Sequence, residues 1–499
     1  MRTGLVPDDH VIVVFGGNGD LSRRKLLPAL YHLFVEGLLP QRWRIIGNSR
    51  SEFSDEEFDE FARESIREFS RCKPDEEAWR TFSERLSYVS HEFVPDDTKA
   101  LVQAVRRAER DLGGSPRRLF YLAVPPAAFG PITKALGDCA LTERARVVYE
   151  KPFGLDAASF HELNATAHRV LADEQIYTID HFLGKETVQN VLALRFANGM
   201  FEPVWNRQHI DHVQIDVPET LSVGTRAGFY EKTGALRDML VTHLLQVLSV
   251  IAMEPPYALE SKPLLDEKTK VFESMGPLPR ERLVRGQYEG YRQADGVADD
   301  SQTETFVAAR VEVDNWRWSG VPFYLRTGKC MAESRQTATL AFKEPPRQMF
   351  RDTPVADGLF NDHLTLDLGS AEGISISFLA KVPGPSIELG AARMTFHYEG
   401  SFGSEFIGPY ERLLHDALLG DRTLFTRADG IGRTWELVAD VLAHPPALLP
   451  YPQGSWGPEA AQKLIAPRSW HLPEDRPAED RPAEDQAAET PRTPRAASC

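Results

Sequence analysis

Residues 10–26 read HVIVVFGGNGDLSRRKL. The run from Val11 to Phe15 is β-branched and aromatic with no polar alternation, as a strand buried on both faces requires. Glycines follow at 16, 17 and 19, and then an amphipathic stretch, RRKLLPALYHLFVEGLL, runs from 23 to 39. Strand, glycine turn and helix in that order bring backbone N–H groups to a helix N-terminus, where a pyrophosphate can approach. The spacing is Gly-x-x-Gly-x-Leu rather than G-x-G-x-x-G, so the bare pattern also fits a tight turn. The flanking strand and helix make Gly16, Gly17, Asn18, Gly19, Asp20 and Leu21 a candidate cofactor loop.

Outward from this stretch, RIIG (44–47), RLFYLAVPP (118–126), ARVVYEKP (145–152) and IYTIDHF (176–182) read as further buried strands ending in loops. Apolar residues at three- and four-residue spacing predict helices over 54–69 and 98–112, with Ser54 and Glu57 forming a capping box. The alternation predicts an α/β Rossmann-type dinucleotide-binding domain over residues 1–182. From about residue 205 the pattern becomes alternating strands such as HVQIDVPETL, TFVAARVEVDNWRW and GISISFLAKV. Residues 183–470 are therefore expected to form a larger α+β domain with a mainly antiparallel sheet. The stretch 235–253 is apolar on nearly every face and is expected to pack between the domains or against that sheet. Residues 471–499 are rich in Pro, Ala, Glu and Asp and are expected to be a disordered tail.

With 499 residues, 57 Lys and Arg against 73 Asp and Glu, and a net charge of -16, the chain repels phosphate backbones. Neither nucleic acid nor an anionic membrane is expected as its partner. An anionic substrate would need a local basic pocket. The four cysteines, Cys72, Cys139, Cys330 and Cys499, have neither zinc-ligand nor disulfide spacing. The apolar run near the N-terminus is too short for a membrane span or a signal segment, so a cytoplasmic protein is expected.

Several residues stand where chemistry needs them. The second strand ends at Gly47-Asn48-Ser49-Arg50, where an NAD domain would usually place an acid. A guanidinium there suits a 2′-phosphate, favouring NADP without excluding NAD. Lys151 closes another strand at the carboxyl edge of the sheet and could contact a substrate hydroxyl or the cofactor. His181 and Lys185, four apart after the last strand, can converge as a phosphate clamp. His243 lies in the apolar helix. On a regular α-helix Asp238, five residues earlier, is about 140° out of register with it. The carboxylate that orients His243 is therefore expected from elsewhere, and Asp180 is the candidate. Glu219, Asp238 and His243 fall within 25 residues of one another and suit a polyhydroxylated sugar.

Taken together, GGNGDLSRRKLLPAL, YEKPFG, IDHFLGKETVQN, RAGFYEKTGALRDMLVTHLLQVLSVIAMEPP and VPFYLRTGK closely resemble the glucose-6-phosphate dehydrogenase family along almost the whole chain. The resemblance implies NADP-dependent oxidation of glucose 6-phosphate at C1, without a metal, by a homodimer or homotetramer. It makes His243 the general base and Asp180 its supporting carboxylate. His181 and Lys185 would hold the phosphate, and Lys151, Glu219, Asp238 and Lys329 would contact the sugar. The glycine loop and Arg50 would bind the cofactor, with Lys151 reaching it too. The family usually has tyrosine where Phe182 stands, and a basic residue four or five positions beyond Lys329, where Glu333 and Ser334 stand and Arg335 comes one later. Two rivals are a sugar oxidoreductase acting on unphosphorylated sugars and a catalytically dead NADP-binding homologue.

Overall fold

The computed structural model describes residues 6–347, 349–350, 362–369, 373–398 and 407–471. Most of the expected tail, 472–499, therefore lies outside the described residues. The chain forms two compact units: Met1–Gln189 with Val241–Glu273 and Phe406–Leu442, and Asn190–Leu240 with Ser274–Glu405 and Ala443–Cys499.

The first unit is built on six parallel strands: β1 (His10–Phe15), β2 (Trp43–Ser49), β3 (Leu86–Ser90), β4 (Arg117–Leu122), β5 (Ala145–Tyr149) and β6 (Ile176–Thr178). Their order, β3-β2-β1-β4-β5-β6, is that of a doubly wound dinucleotide fold. Strand β1 is buried throughout because both its faces are covered by helices, which explains its unbroken apolar sequence. The capping box forms: Ser54 accepts from the Glu57 N–H at 3.2 Å, and Glu57 accepts from the Ser54 N–H at 2.8 Å, opening the helix Asp55–Phe69. Strand β3 escapes sequence reading because LSYVS is a short, half-exposed edge strand with polar residues interleaved.

The helix after the glycine loop departs from the regular one expected over 23–39. Ser22–Leu26 is wound as a π-helix and leads into the α-helix Leu27–Val35. Pro28, in the first turn of the α-helix, lacks the N–H that would have bonded back into the preceding turn.

Among the described residues the second unit carries nine strands: β7 (Ile210–Pro218), β8 (Leu283–Tyr288), β9 (Phe306–Glu312), β10 (Pro322–Gly328), β11 (Thr337–Phe342), β12 (His363–Asp367), β13 (Gly373–Lys381), β14 (Leu389–His397) and β15 (Leu448–Tyr451). They run in the order β14-β13-β12-β11-β7-β10-β9-β8-β15. Six of the eight pairings are antiparallel; β7 with β10 and β8 with β15 are parallel.

The apolar stretch Ala227–Ala252 is long and apolar enough to cross a membrane by composition alone, but 89% of its apolar window is buried within the structure, as in a core helix. It is not one regular α-helix. Gly234 breaks it at φ 63°, and Leu236–Leu244 is π-wound before α-helix resumes at Leu245–Ala252. The angle expected between Asp238 and His243 assumed α-helical winding, and the π-turn removes that premise.

Candidate active site

The glycine loop sits where β1 lies between β2 and β4, the switch point at which open parallel sheets bind ligands. Gly16 has φ 77°, and a Cβ there would stand 2.2 Å from the Ala123 carbonyl oxygen. A Cβ on Gly17 would stand 2.8 Å from Gly47 Cα. The loop is thus pressed onto the chain leaving β4 and onto the body of β2, and only glycine allows it. It is closed by the Gly19 N–H donating to Gly16 O at 2.9 Å and by Ser22 Oγ donating to the same oxygen at 2.7 Å. Asn18 is half-buried, Leu21 packs against the core, and exposed Asp20 accepts from Arg24 at 2.8 Å. Arg50 projects from the end of β2 with its side chain 80% exposed, and Glu92 approaches it only to 4.0 Å. A cradle of this shape, with a guanidinium beside β2, fits a dinucleotide carrying a 2′-phosphate.

At the carboxyl ends of β5 and β6 the same unit gathers four of the expected residues. Lys151 follows β5, Asp180 and His181 follow β6, and His243 enters from the π-helical turn. His243 is fully buried, and its Nδ1 lies 2.6 Å from Asp180 Oδ1. The Asp180 carboxylate can only accept there, so Nδ1 carries the proton. Lys151 Nζ bonds to His243 Nε2. An ammonium can only donate, so Nε2 is the unprotonated atom. Two independent partners therefore select one tautomer, with the lone pair on Nε2. The Phe182 N–H also donates to Asp180 Oδ1, at 2.9 Å, fixing the carboxylate plane. Ligand-type atoms of Asp180, His181 and His243 lie within 4.8 Å of one another. The Oδ1 and Nδ1 atoms are spent on each other, however, which is the arrangement of an oriented base rather than a metal centre.

His181 packs edge-on to His243 with ring centroids 4.7 Å apart. Burial, then the neighbouring His243, Lys151, Lys185 and Lys25, hold its pKa well below the ordinary histidine value. Its Nδ1 is buried without a hydrogen-bond partner among the described residues. Phe182, standing in place of tyrosine, stacks on His243 at 4.6 Å and carries the Lys185 ammonium 4.4 Å from its ring centre. The ring so keeps a packing and cation–π role without a hydroxyl.

In the second unit, β7 and β10 run parallel with Pro218 opposite Gly328, so Glu219 and Lys329 leave the sheet side by side. They form an ion pair, and the Glu219 N–H donates to Gly328 O at 2.9 Å. Lys329 lies 5.9 Å from the ring centre of buried Tyr230. Burial, and then the charge of Asp238, raise that phenol well above its ordinary pKa. Arg335 is committed elsewhere: it donates to Asp216 at 2.8 Å, beside the Arg326–Asp216 pair. Burial pushes Asp216 up, but Arg326 and Arg335 outweigh it and hold the carboxylate below its usual range.

Sequence reading left two buried titratable groups of the first unit without a role. Glu150 accepts from the Tyr121 hydroxyl at 2.6 Å and from Tyr410, and burial raises its pKa. The Glu-Lys-Pro motif contained it, but only the fold shows that it points inward. Lys268 is likewise buried, on the apolar face of the helix Ser261–Glu273.

Residues 13–190 match the family model for the glucose-6-phosphate dehydrogenase NAD binding domain, and residues 192–471 match that for the C-terminal domain. The chain is 41% identical to glucose-6-phosphate 1-dehydrogenase of Rhizobium meliloti over 498 residues, covering 94% of this chain and 99% of the relative. The crystal structure of glucose-6-phosphate 1-dehydrogenase from Mycobacterium avium superimposes with a TM-score of 0.84 at 38% identity, covering 94% of this chain and 99% of that one. A glucose-6-phosphate dehydrogenase in complex with its substrate glucose-6-phosphate gives a TM-score of 0.85 at 31% identity over the same shares.

Proposed function

Because the chain belongs to the glucose-6-phosphate dehydrogenase family, we propose that its oxidation chemistry is carried by His243 as general base with Asp180 as supporting carboxylate. The reaction is oxidation of β-D-glucose 6-phosphate at C1 to 6-phospho-D-glucono-1,5-lactone, the first step of the oxidative pentose phosphate pathway. Bound NADP supplies the hydride acceptor. His243 Nε2 takes the proton of the C1 hydroxyl as the C1 hydrogen leaves with its electron pair and the C1–O bond becomes a carbonyl. Asp180 holds the proton on Nδ1 and offsets the positive charge that the imidazole ring then gains. Lys151 moves from Nε2 to a substrate oxygen, since the two cannot occupy the lone pair together.

His181 and Lys185 hold the 6-phosphate, remote from the reacting atom, so their binding energy positions C1. The dianion restores to His181 the proton that burial, and then its cationic neighbours, suppress. Glu219, Asp238, Lys151 and Lys329 take the sugar hydroxyls. Gly16, Gly17, Asn18, Gly19, Asp20 and Leu21 cradle the pyrophosphate, with Arg50 at the 2′-phosphate and Lys151 beside the cofactor. In this reading residues 1–182 are the NADP-binding half and 183–470 the substrate and assembly half. The protein is read as a cytoplasmic homodimer or homotetramer, and exposed Met394 on β14 with exposed Ile387 just before that strand supports assembly through that end of the sheet.

The observation that carries the base assignment is the doubly selected tautomer of His243, with Nδ1 on Asp180 and Nε2 facing an ammonium. His243→Asn should lower kcat by about a thousandfold with KM for glucose 6-phosphate little changed. Turnover near that of the wild type would overturn it.

A further inference from the structure

We infer that Glu304 is a positioning residue for the sugar side of the site. It holds the start of the π-wound segment that carries Asp238, and the residue after it anchors Lys329. This rests on the assignment of Asp238 and Lys329 as sugar contacts. All the residues involved belong to the second unit. The helix Ala227–Ala235 is broken at Gly234, which stands at φ 63°, and the π-wound segment begins at Leu236. The start of a helical segment leaves backbone N–H groups without partners in the segment itself. The two that follow Gly234 go to one residue. The Ala235 N–H donates to Glu304 O at 2.9 Å, and the Leu236 N–H donates to Glu304 Oε1 at 3.1 Å. Gly234 lies so close to the same carboxylate that a Cβ there would collide with Oε1. Glycine is thus required by its positive φ and by the space.

The carboxylate is itself held. Arg285 on β8 donates from Nε and Nη2 to Glu304 Oε2, at 3.0 and 2.8 Å, which leaves Oε1 for the Leu236 N–H. Arg285 Nη2 also donates to Gln302 O at 2.7 Å, and Nη1 to Pro446 O at 3.0 Å. Both members of the pair are buried. On the other side of the break, Glu231 Oε2 accepts from the Tyr291 hydroxyl at 2.8 Å and from Ser301 Oγ at 2.9 Å. Thr303 Oγ1 donates to Glu231 O at 3.0 Å. Residues 301–304 therefore grip the chain on both sides of Gly234.

The next residue reaches the other sugar contact. Thr305 O accepts from the Lys329 N–H at 2.9 Å, and Lys329 in turn pairs with Glu219. One short segment thus fixes the backbone two residues before Asp238 and the backbone of Lys329 together. A buried ion pair in general adds little net stability. The Arg285–Glu304 pair instead fixes where Oε1 stands, and with it the first turn that carries Asp238. Contacts to sugar hydroxyls depend on such placement, because a misplaced acceptor loses its hydrogen bond.

The test compares two full-length double variants that both lose the ion pair. Arg285→Met with Glu304→Met removes the acceptor for the Leu236 N–H, whereas Arg285→Met with Glu304→Gln keeps an amide oxygen for it. Steady-state kinetics with glucose 6-phosphate and NADP are measured beside thermal midpoints. The first variant should raise KM for glucose 6-phosphate by about tenfold, with kcat and KM for NADP within about threefold of wild type. The second should keep all three within about threefold, although its midpoint also falls. Gly234→Ala, which pushes the carboxylate aside without a change of charge, should raise KM for glucose 6-phosphate likewise, and it decides the question should the first variant not fold. Folded variants with wild-type KM and only lowered midpoints would overturn the proposal and leave Glu304 as a structural residue. An equal rise of KM in both double variants would overturn it too, since the bond to Leu236 would then not matter. Asp238→Asn in the same series separates the two ideas, because an unchanged KM there defeats the sugar-contact assignment, whatever Glu304 does.

Discussion

Asp180→Asn isolates the charge of the carboxylate from its geometry. Two donors, the His243 Nδ1–H and the Phe182 N–H, converge on Asp180 Oδ1 at 2.6 and 2.9 Å. An asparagine that turned its NH2 to that position would face two N–H groups, so it must place its oxygen there. Both hydrogen bonds and the His243 tautomer then survive, and only the negative charge is lost. In wild type that charge meets an imidazolium when the C1 proton arrives. Unit charges about 4 Å apart at an effective dielectric of about 20 attract by about 4 kcal/mol. That is worth close to three powers of ten in rate. The substituted enzyme should therefore lose about a thousandfold in kcat, while KM for glucose 6-phosphate changes by less than about threefold, because the ground state carries a neutral imidazole. The acid limb of the rate profile should move to lower pH, since the imidazolium is no longer supported. Initial rates of NADPH formation across the pH range, with circular dichroism to confirm folding, measure both. A kcat within about threefold of wild type, or an acid limb that stays put, would refute the reasoning.

Lys185→Ala should raise KM for glucose 6-phosphate by about tenfold or more, the worth of a charge-assisted bond to phosphate, while leaving any slow rate with glucose unchanged; steady-state kinetics on both sugars check it. Arg50→Ala should raise KM for NADP by a similar factor and leave KM for NAD alone, which a cofactor comparison reads directly. His10, fully buried in β1, has its pKa lowered to about 4, chiefly by burial and against the Asp8 carbonyl it bonds at 2.6 Å. The unfolded chain therefore binds this proton first. Its contribution to stability is whole above about pH 6.5, drains as pH falls, and is gone below about pH 4, a span of about 3 kcal/mol. Urea midpoints should fall more steeply over that range for wild type than for His10→Val.

Much of this protein is legible in its sequence. The unbroken apolar run of β1, the glycines after it and the Ser54–Glu57 cap are local signals, because strand burial, tight turns and helix caps are set by neighbours within a few residues. Asp180 could be named as the partner of His243 because a base needs a carboxylate and Asp238 was out of register on a regular helix. That argument named the carboxylate that His243 bonds at 2.6 Å, through a premise the structure removes, since the segment is π-wound.

What tertiary structure alone decided is pairing at long separation. Glu219 meets Lys329, 110 residues away, because β7 and β10 run parallel in one particular register. Arg335 is taken by Asp216, 119 residues away. Lys268 is an ordinary lysine in a charged-looking string, and nothing local marks it as buried. Composition and periodicity report which residues want to be inside. Which buried charge acts on which is settled only when strands and helices distant in sequence are packed together, because electrostatic strength depends on separation in space and on the exclusion of water, and a linear sequence encodes neither directly.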